Sequence, residues 1–330
     1  MTHATDVLLQ IDNLTVEFRV DDATVKAVDG VSFAIRRGEI LGLVGESGSG
    51  KSVTSLAIMG LLPSDVARVS GGRILFDGQD LLTLPENELR KLRGGRIGMI
   101  FQEPLSALNP VFSVGHQIVT GILAHERVSR AAARARAIEL LAMVHIADPA
   151  TSIDAYPFQM SGGMRQRVLI AMVLASQPDL LIADEPTTAL DVTIQAQILD
   201  LLREIRAQTG VAILFISHDL AVIAELCDSV AVMYAGEVQE RGAVLPVLTA
   251  PRHPYTRGLL SCIADPVTGK PLVPIEGRPP LLSEIAPGCR FEPRCAHAMP
   301  RCGVIHPAIE ILEMQREVRC LRWQEIPTSF

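Results

Sequence analysis

"EILGLVGESGSGKS", residues 39–52, is an apolar run that ends in a glycine-rich turn closed by lysine and serine. Apolar residues without polar alternation mark a strand covered on both faces. The eight residues from Gly45 to Ser52 fit G-x-x-x-x-G-K-[ST]. Gly45, Gly48 and Gly50 let the backbone curl, so that N–H groups of Glu46, Ser47, Ser49 and their neighbours point inward at anionic oxygens. A helix expected from near Ser52, with Val53 in its first turn, adds the positive end of its dipole. In this reading Lys51 reaches the β- and γ-phosphates of a nucleotide and the Ser52 hydroxyl sits on Mg²⁺. The bland alternative is a glycine-rich turn, which the strand before it and the helix after it disfavour.

Three more continuous apolar runs follow: "RIGMIFQ" (96–102), "DLLIADEP" (179–186) and "VAILFISHD" (211–219). Helical patterns lie between them; Ile194, Ile198, Leu201 and Ile205 fall on one helix face. Buried strands alternating with helices imply an α/β fold with a parallel sheet and ligand chemistry at the strands' carboxyl ends. "LLQIDNLTVEFRV" and "VKAVDGVSFAIRRGE" instead alternate, as half-buried antiparallel strands do. Residues 103–178 are Ala-rich and read as an inserted helical subdomain. "SVAVMYAGEVQERG" (229–242) reads as a hairpin, and from Pro251 onward frequent prolines predict an irregular tail.

Two acids, Asp184 and Glu185, end the run "LLIADEP". Strand alternation would turn them to opposite sides, so one can hold Mg²⁺ while the other activates water. His218 follows "AILFIS" and could reach the γ-phosphate, although a histidine at a strand end is as readily structural. In "MSGGMRQR" (160–167), Ser161 is an N-cap and Gly162 and Gly163 open an apolar helix. That is a second helix N-terminus with free N–H groups, suited to an anion or simply well capped.

The 330 residues are 48% apolar, enough for one large domain and an appendage. A net charge of −7 and 4% aromatics argue against nucleic-acid binding. Apolar runs such as "VLIAMVLAS" are much shorter than the ~18 residues that cross a bilayer. "MTHATDVLLQID" has no signal-peptide character, so a reducing cytosol is expected, where structural disulfides are improbable. The six cysteines are unevenly spread: Cys289, Cys295, Cys302 and Cys320 gather in the tail. Their spacing is wider than that of zinc knuckles, and leaves zinc, an iron–sulfur cluster or free thiols open. His297 and His306 could complete a zinc site. Cys227 and Cys262 read as ordinary buried or semi-buried thiols.

The motifs and their order closely resemble the ATP-binding-cassette (ABC) ATPases. The matching elements are the loop at 45–52, Gln102, "SGGMRQR", 180–185, "TTALD" (187–191) and His218. The resemblance covers about residues 8–250 and implies a P-loop cassette with an antiparallel β subdomain and a helical subdomain. It implies Glu185 as general base, with Asp184, Ser52 and Gln102 at Mg²⁺, and His218 at the γ-phosphate. It also implies that Ser161, Gly162 and Gly163 close over ATP held by a second cassette, with Asp191 at the dimer contact. Phe18 is the candidate for stacking on adenine. Met164 departs from the glutamine common in the wider family, leaving the SGG core intact.

"FQEPLSALNPVFSVGHQI" and "PRHPYTRGLL" look like the dipeptide and oligopeptide permease branch. That branch implies a sister ATPase, two membrane permeases, an extracytoplasmic binding protein and a place on the inner face of the membrane. Nickel and glutathione importers share the pattern, and a soluble cassette protein would need a coiled-coil insertion or a second cassette, neither of which is visible. The tail 251–330 is similar to the branch's C-terminal extension, where four cysteines hold a [4Fe–4S] cluster. Its expected role is to fix the tail against the partner cassette.

Overall fold

The computed structural model describes residues 6–20, 23–101, 107–188, 190–262 and 273–327. The chain divides into two compact units, residues 1–83 with 215–330 and residues 84–214.

In the first unit, β1 (Val7–Val20) and β2 (Ala23–Arg36) pair antiparallel, as their alternation predicts. β4 (Ala67–Phe76) takes the other edge of β1, and β5 (Gln79–Asp80) completes a sheet of order β2-β1-β4-β5. Leu9, Ile11, Leu14 and Val16 are buried, so the period of two breaks between Ile11 and Leu14. The register shifts there, where Asn13 takes φ 48°. A bulge absorbs one residue and returns the apolar side chains to the core. β3 (Ile40–Val44) is buried at every position and pairs parallel with β9 (Ser229–Tyr234). β9 forms the expected hairpin with β10 (Glu237–Ala243).

The tail does more than trail. Its two short strands, β11 (Glu310–Ile311) and β12 (Glu317–Val318), continue from the hairpin, with Val318 opposite Glu240. The helix Pro254–Ser261 precedes them, and turns fill most of the remainder. Arg316 seals the join: its Nε donates to Glu240 Oε1 at 3.1 Å, its Nη2 donates to the same carboxylate, and Nη1 donates to Pro246 O at 3.0 Å. Glu240 is fully buried, so this ion pair is internal to the fold.

In the second unit, β6 (Ile97–Ile100) and β7 (Leu180–Asp184) pair parallel and are wholly buried. Between them, the described regular elements are all helical: Val114–His125, Arg130–Met143, Pro149–Ser152 and Gly162–Leu174, with a short 3₁₀ turn at Pro157–Gln159. Ser113, Ser129 and Ser161 cap three of these helices through their hydroxyls. Of the predicted face of the helix Val192–Thr209, Ile198, Leu201 and Ile205 are buried and Ile194 is half-buried, while Leu199 and Leu202 widen the stripe. β8 (Ala212–Ser217), also fully buried, crosses the division between the units.

Candidate functional site: the phosphate loop, the acid pair and the thiol cavity

β3 ends at Val44, and the loop turns away under the β9–β10 hairpin. A Cβ at Gly45 would stand 2.1 Å from the Met233 carbonyl oxygen, so only glycine passes there. Gly50 takes φ 103° and its Cβ would meet the Ala27 carbonyl at 2.6 Å. These two contacts give the glycines of the motif a steric cause. The helix Lys51–Met59 begins one residue earlier than expected. Lys51 is buried, and its Nζ donates to the carbonyls of Gly45 (2.8 Å) and Glu46 (3.0 Å). The ammonium is thus seated among the loop's own amides. Ser47 and Gly48 are exposed, Ser52 and Val53 are half-buried in the first turn, and the Ser49 carbonyl accepts from Gly236 N–H at 2.9 Å. Phe18 is half-buried in β1, opposite Val25 and Ala67. His218 is exposed just past β8, beside Asp219, which caps the helix Leu220–Leu226.

In the second unit the two acids straddle the end of their strand. β7 stops at Asp184, which is 5% exposed, and Glu185 leaves the strand with φ 47°. A left-handed backbone at a non-glycine residue is strained, and such strain concentrates at functional sites. The Glu185 carboxylate accepts from Thr188 Oγ1 at 3.0 Å. Ser161 Oγ accepts from Met164 N–H at 3.3 Å, which confirms the cap. Gly163 has a packing reason, since a Cβ would lie 2.8 Å from Ile194 Cγ2 of the next helix. Asp191 caps that helix, accepting from Ile194 N–H at 2.9 Å. Gln102 lies outside the described residues.

The four tail cysteines come together: Cys289, Cys295, Cys302 and Cys320 line one cavity, with His253 and His297 beside them. Gly288 makes the crossing possible, because a Cβ there would strike the Cys302 carbonyl at 2.3 Å. Burial pushes the Cys289 thiol up to about 11 and Cys320 up to about 12, and raises Cys295 as well. Burial thus favours the neutral thiol at Cys289, Cys295 and Cys320. Among the described residues, no group of three or more His, Cys, Asp or Glu is gathered closely enough for a single metal ion. His306 does not join the cavity; it pairs with Glu237 at 2.7 Å. Cys227 is half-buried, within the expected range, whereas Cys262 is exposed.

Sequence reasoning missed the arginines between the cysteines. Arg290 Nη1 donates to the Ala235 carbonyl and Nη2 pairs with Asp29, while Nε lies 3.1 Å from the Glu237 carboxylate. Arg294 Nη1 donates to both Glu46 oxygens at 3.0 Å and lies over the Tyr234 ring at 5.7 Å. Tyr255, fully buried, accepts from Glu46 N–H at 3.0 Å. "CRFEPRC" held the only signal, two cations inside a cysteine pair. Their partners are roughly 50 to 260 residues away in sequence, beyond the reach of any local pattern.

No helix among the described residues is long and apolar enough to cross a membrane. The ABC transporter family profile matches residues 28–188, and that of the oligopeptide/dipeptide transporter C-terminal region matches residues 239–302. The chain is 49% identical to the dipeptide transport ATP-binding protein DppD of Bacillus subtilis, over 95% of this chain and 94% of that one. It is 47% identical to DppD of Escherichia coli, covering 95% and 96%, and 46% identical to the oligopeptide transport protein AppD of Bacillus subtilis, covering 96% and 97%. Among solved structures, the dimeric ATP-binding cassette MJ0796 in a post-hydrolysis state with ADP and phosphate superposes with a TM-score of 0.64. It is 28% identical and covers 72% of this chain and 99% of its own. The cassette cbiO1 of Clostridium perfringens gives a TM-score of 0.63 at 31% identity, covering 73% and 90%. A glycine-forced phosphate loop, an acid pair at a buried strand's end and near-full-length likeness to such subunits lead to one assignment: the chain belongs to the ATP-binding proteins of ABC transporters, in the branch that carries the oligopeptide/dipeptide transporter C-terminal region.

Proposed function

We propose that this chain is the ATP-hydrolysing subunit of an importer of dipeptides or oligopeptides. The carrying observation is identity of 46–49% along almost the whole chain, tail included, with dipeptide and oligopeptide transport subunits. In this reading residues 1–250 are the nucleotide-binding domain, with a helical subdomain at about 103–178, and 251–330 are the extension. The amides of residues 45–52 and Lys51 hold the triphosphate. Glu185 accepts the proton of the attacking water, and its strained backbone supports that assignment. His218 orients the γ-phosphate. Ser52, Asp184 and Gln102 hold Mg²⁺, which when bound neutralises charge on the phosphates.

Phe18 stacks on adenine. Ser161, Gly162 and Gly163 serve the nucleotide of a sister cassette, and Asp191 lies at that contact. ATP draws the two cassettes together and hydrolysis releases them, a motion passed to two permease subunits at the inner face of the membrane. An extracytoplasmic binding protein supplies the peptide.

For the thiols we favour a [4Fe–4S] cluster held by Cys289, Cys295, Cys302 and Cys320 over a zinc ion. The support for this reading is that the four thiols line one cavity in the tail. Such a group would tie together a tail with few apolar residues to pack.

The test is to purify the chain with the membrane proteins that accompany it and measure phosphate release with and without candidate peptides presented by the cognate binding protein. Stimulation by di- or oligopeptides is expected. Hydrolysis that responds to another solute and ignores peptides overturns the cargo.

A further inference from the structure

Glu46 is held at three points. Its amide N–H donates to Tyr255 Oη at 3.0 Å, its carbonyl accepts from Lys51 Nζ at 3.0 Å, and both carboxylate oxygens accept from Arg294 at 3.0 Å. Two of these partners stand against the thiol cavity. Arg294 directly precedes Cys295, a cavity-lining residue. Tyr255 packs on Phe291, ring centroids 5.3 Å apart, and Phe291 itself lines the cavity between Cys289 and Cys295. His253, another lining residue, accepts the Tyr255 N–H on Nδ1 at 3.0 Å and so caps the helix that carries this tyrosine. Phe291 also meets Tyr234 edge-on at 5.3 Å, one residue past Met233, whose carbonyl crowds Gly45. The segment 289–295 thus has cysteines at both ends and grips the phosphate-loop side from its middle.

We propose that residues 289–295 couple the thiol cavity to the phosphate loop. Arg294 and Tyr255 act as positioning residues for Glu46, so that the spacing of Cys289 and Cys295 sets how tightly the loop grips a nucleoside triphosphate. The proposal rests on the loop being the nucleotide site. The physical reason is rigidity: packed aromatic rings and an ion pair in which one arginine nitrogen spans both carboxylate oxygens transmit a shift of the segment rather than absorb it. Because Lys51 is seated on the Gly45 and Glu46 carbonyls, any such shift moves the cation's seat. By linkage, nucleotide on the loop must in turn restrain the cysteines. The contacts described for this segment reach the chain's own loop.

The experiment uses the full chain, freed of metal by chelation without air. Alkylation rates of Cys289 and Cys295 are mapped by mass spectrometry with and without a saturating non-hydrolysable ATP analogue. The expected result is about fivefold or greater slowing at both cysteines, with exposed Cys262 unaffected. The double variant Glu46→Gln/Tyr255→Phe should lose that protection at saturating analogue. Should the double variant bind no analogue, Glu46→Gln alone is measured and should lose part of the protection; its half-exposed side chain keeps its shape. Equal alkylation with and without analogue in a wild-type chain that binds it overturns the proposal, as does full protection in the variants. A wild-type chain that binds no analogue in either state instead overturns the nucleotide reading.

Discussion

Glu185, the proposed general base, leaves its strand through a left-handed backbone. Alternation along a strand would turn it away from Asp184, but the strand ends at Asp184 and Glu185 takes a left-handed backbone directly after it. The carboxylate is thereby delivered beside Thr188 in the "TTALD" turn, where it accepts a 3.0 Å hydrogen bond. Glu185→Gln is nearly isosteric and removes only the proton acceptor. Steady-state phosphate release should fall by about 10²–10⁴ while nucleotide affinity, measured by equilibrium binding, stays within a few-fold. Turnover at the wild-type level would remove Glu185 from the base role. The acid pair was legible as a pair; its turn was not, because nothing in "ADEP" announces a positive φ at a glutamate.

The sequence marks the helix end at Ser161, whereas the cap at Asp191 emerges only from the fold. Ser161 and Asp191 stand where a side-chain acceptor satisfies an otherwise free amide, and both do so. For Asp191 this local duty is separable from any duty toward a second cassette. Asp191→Ala should lower the stability of the isolated chain by about 1 kcal/mol, while Asp191→Asn, an equally good cap, should leave it unchanged. Thermal melts of the two variants check this, and equal melting temperatures would deny the cap any weight. Gly163, by contrast, is needed for helix-to-helix approach. Its alanine variant must displace Ile194, a clash invisible from "SGG" because Ile194 is 31 positions along the chain.

Across the chain, the tail is anchored by buried charge as well as by apolar packing. Arg316 reaches the fully buried Glu240, and Arg290 reaches Glu237. Removing one partner of such a pair strands a desolvated charge. Arg316→Ala should therefore lower the unfolding free energy by roughly 3 kcal/mol, read as a shift in the urea midpoint; a change under about 0.5 kcal/mol would place it in the range of ordinary surface substitutions. The thiol cavity makes a second prediction. Protein purified without air should be brown with broad visible absorbance, and Cys295→Ser should lose the colour. Colourless protein carrying zinc would decide for the single ion.

The strands at 40–44, 97–100, 180–184 and 212–217, the helical stretch between the second and third of them, and the phosphate loop all follow from short-range pattern. An apolar run or a glycine spacing carries its meaning within about ten residues, because burial period and backbone freedom are local properties. What the folded chain alone decides is partnership. Arg294 finds Glu46 across 248 positions and Arg290 finds Asp29 across 261. Such contacts depend on where the sheet carries each segment, and a charge carries no local mark of the distant group that will satisfy it.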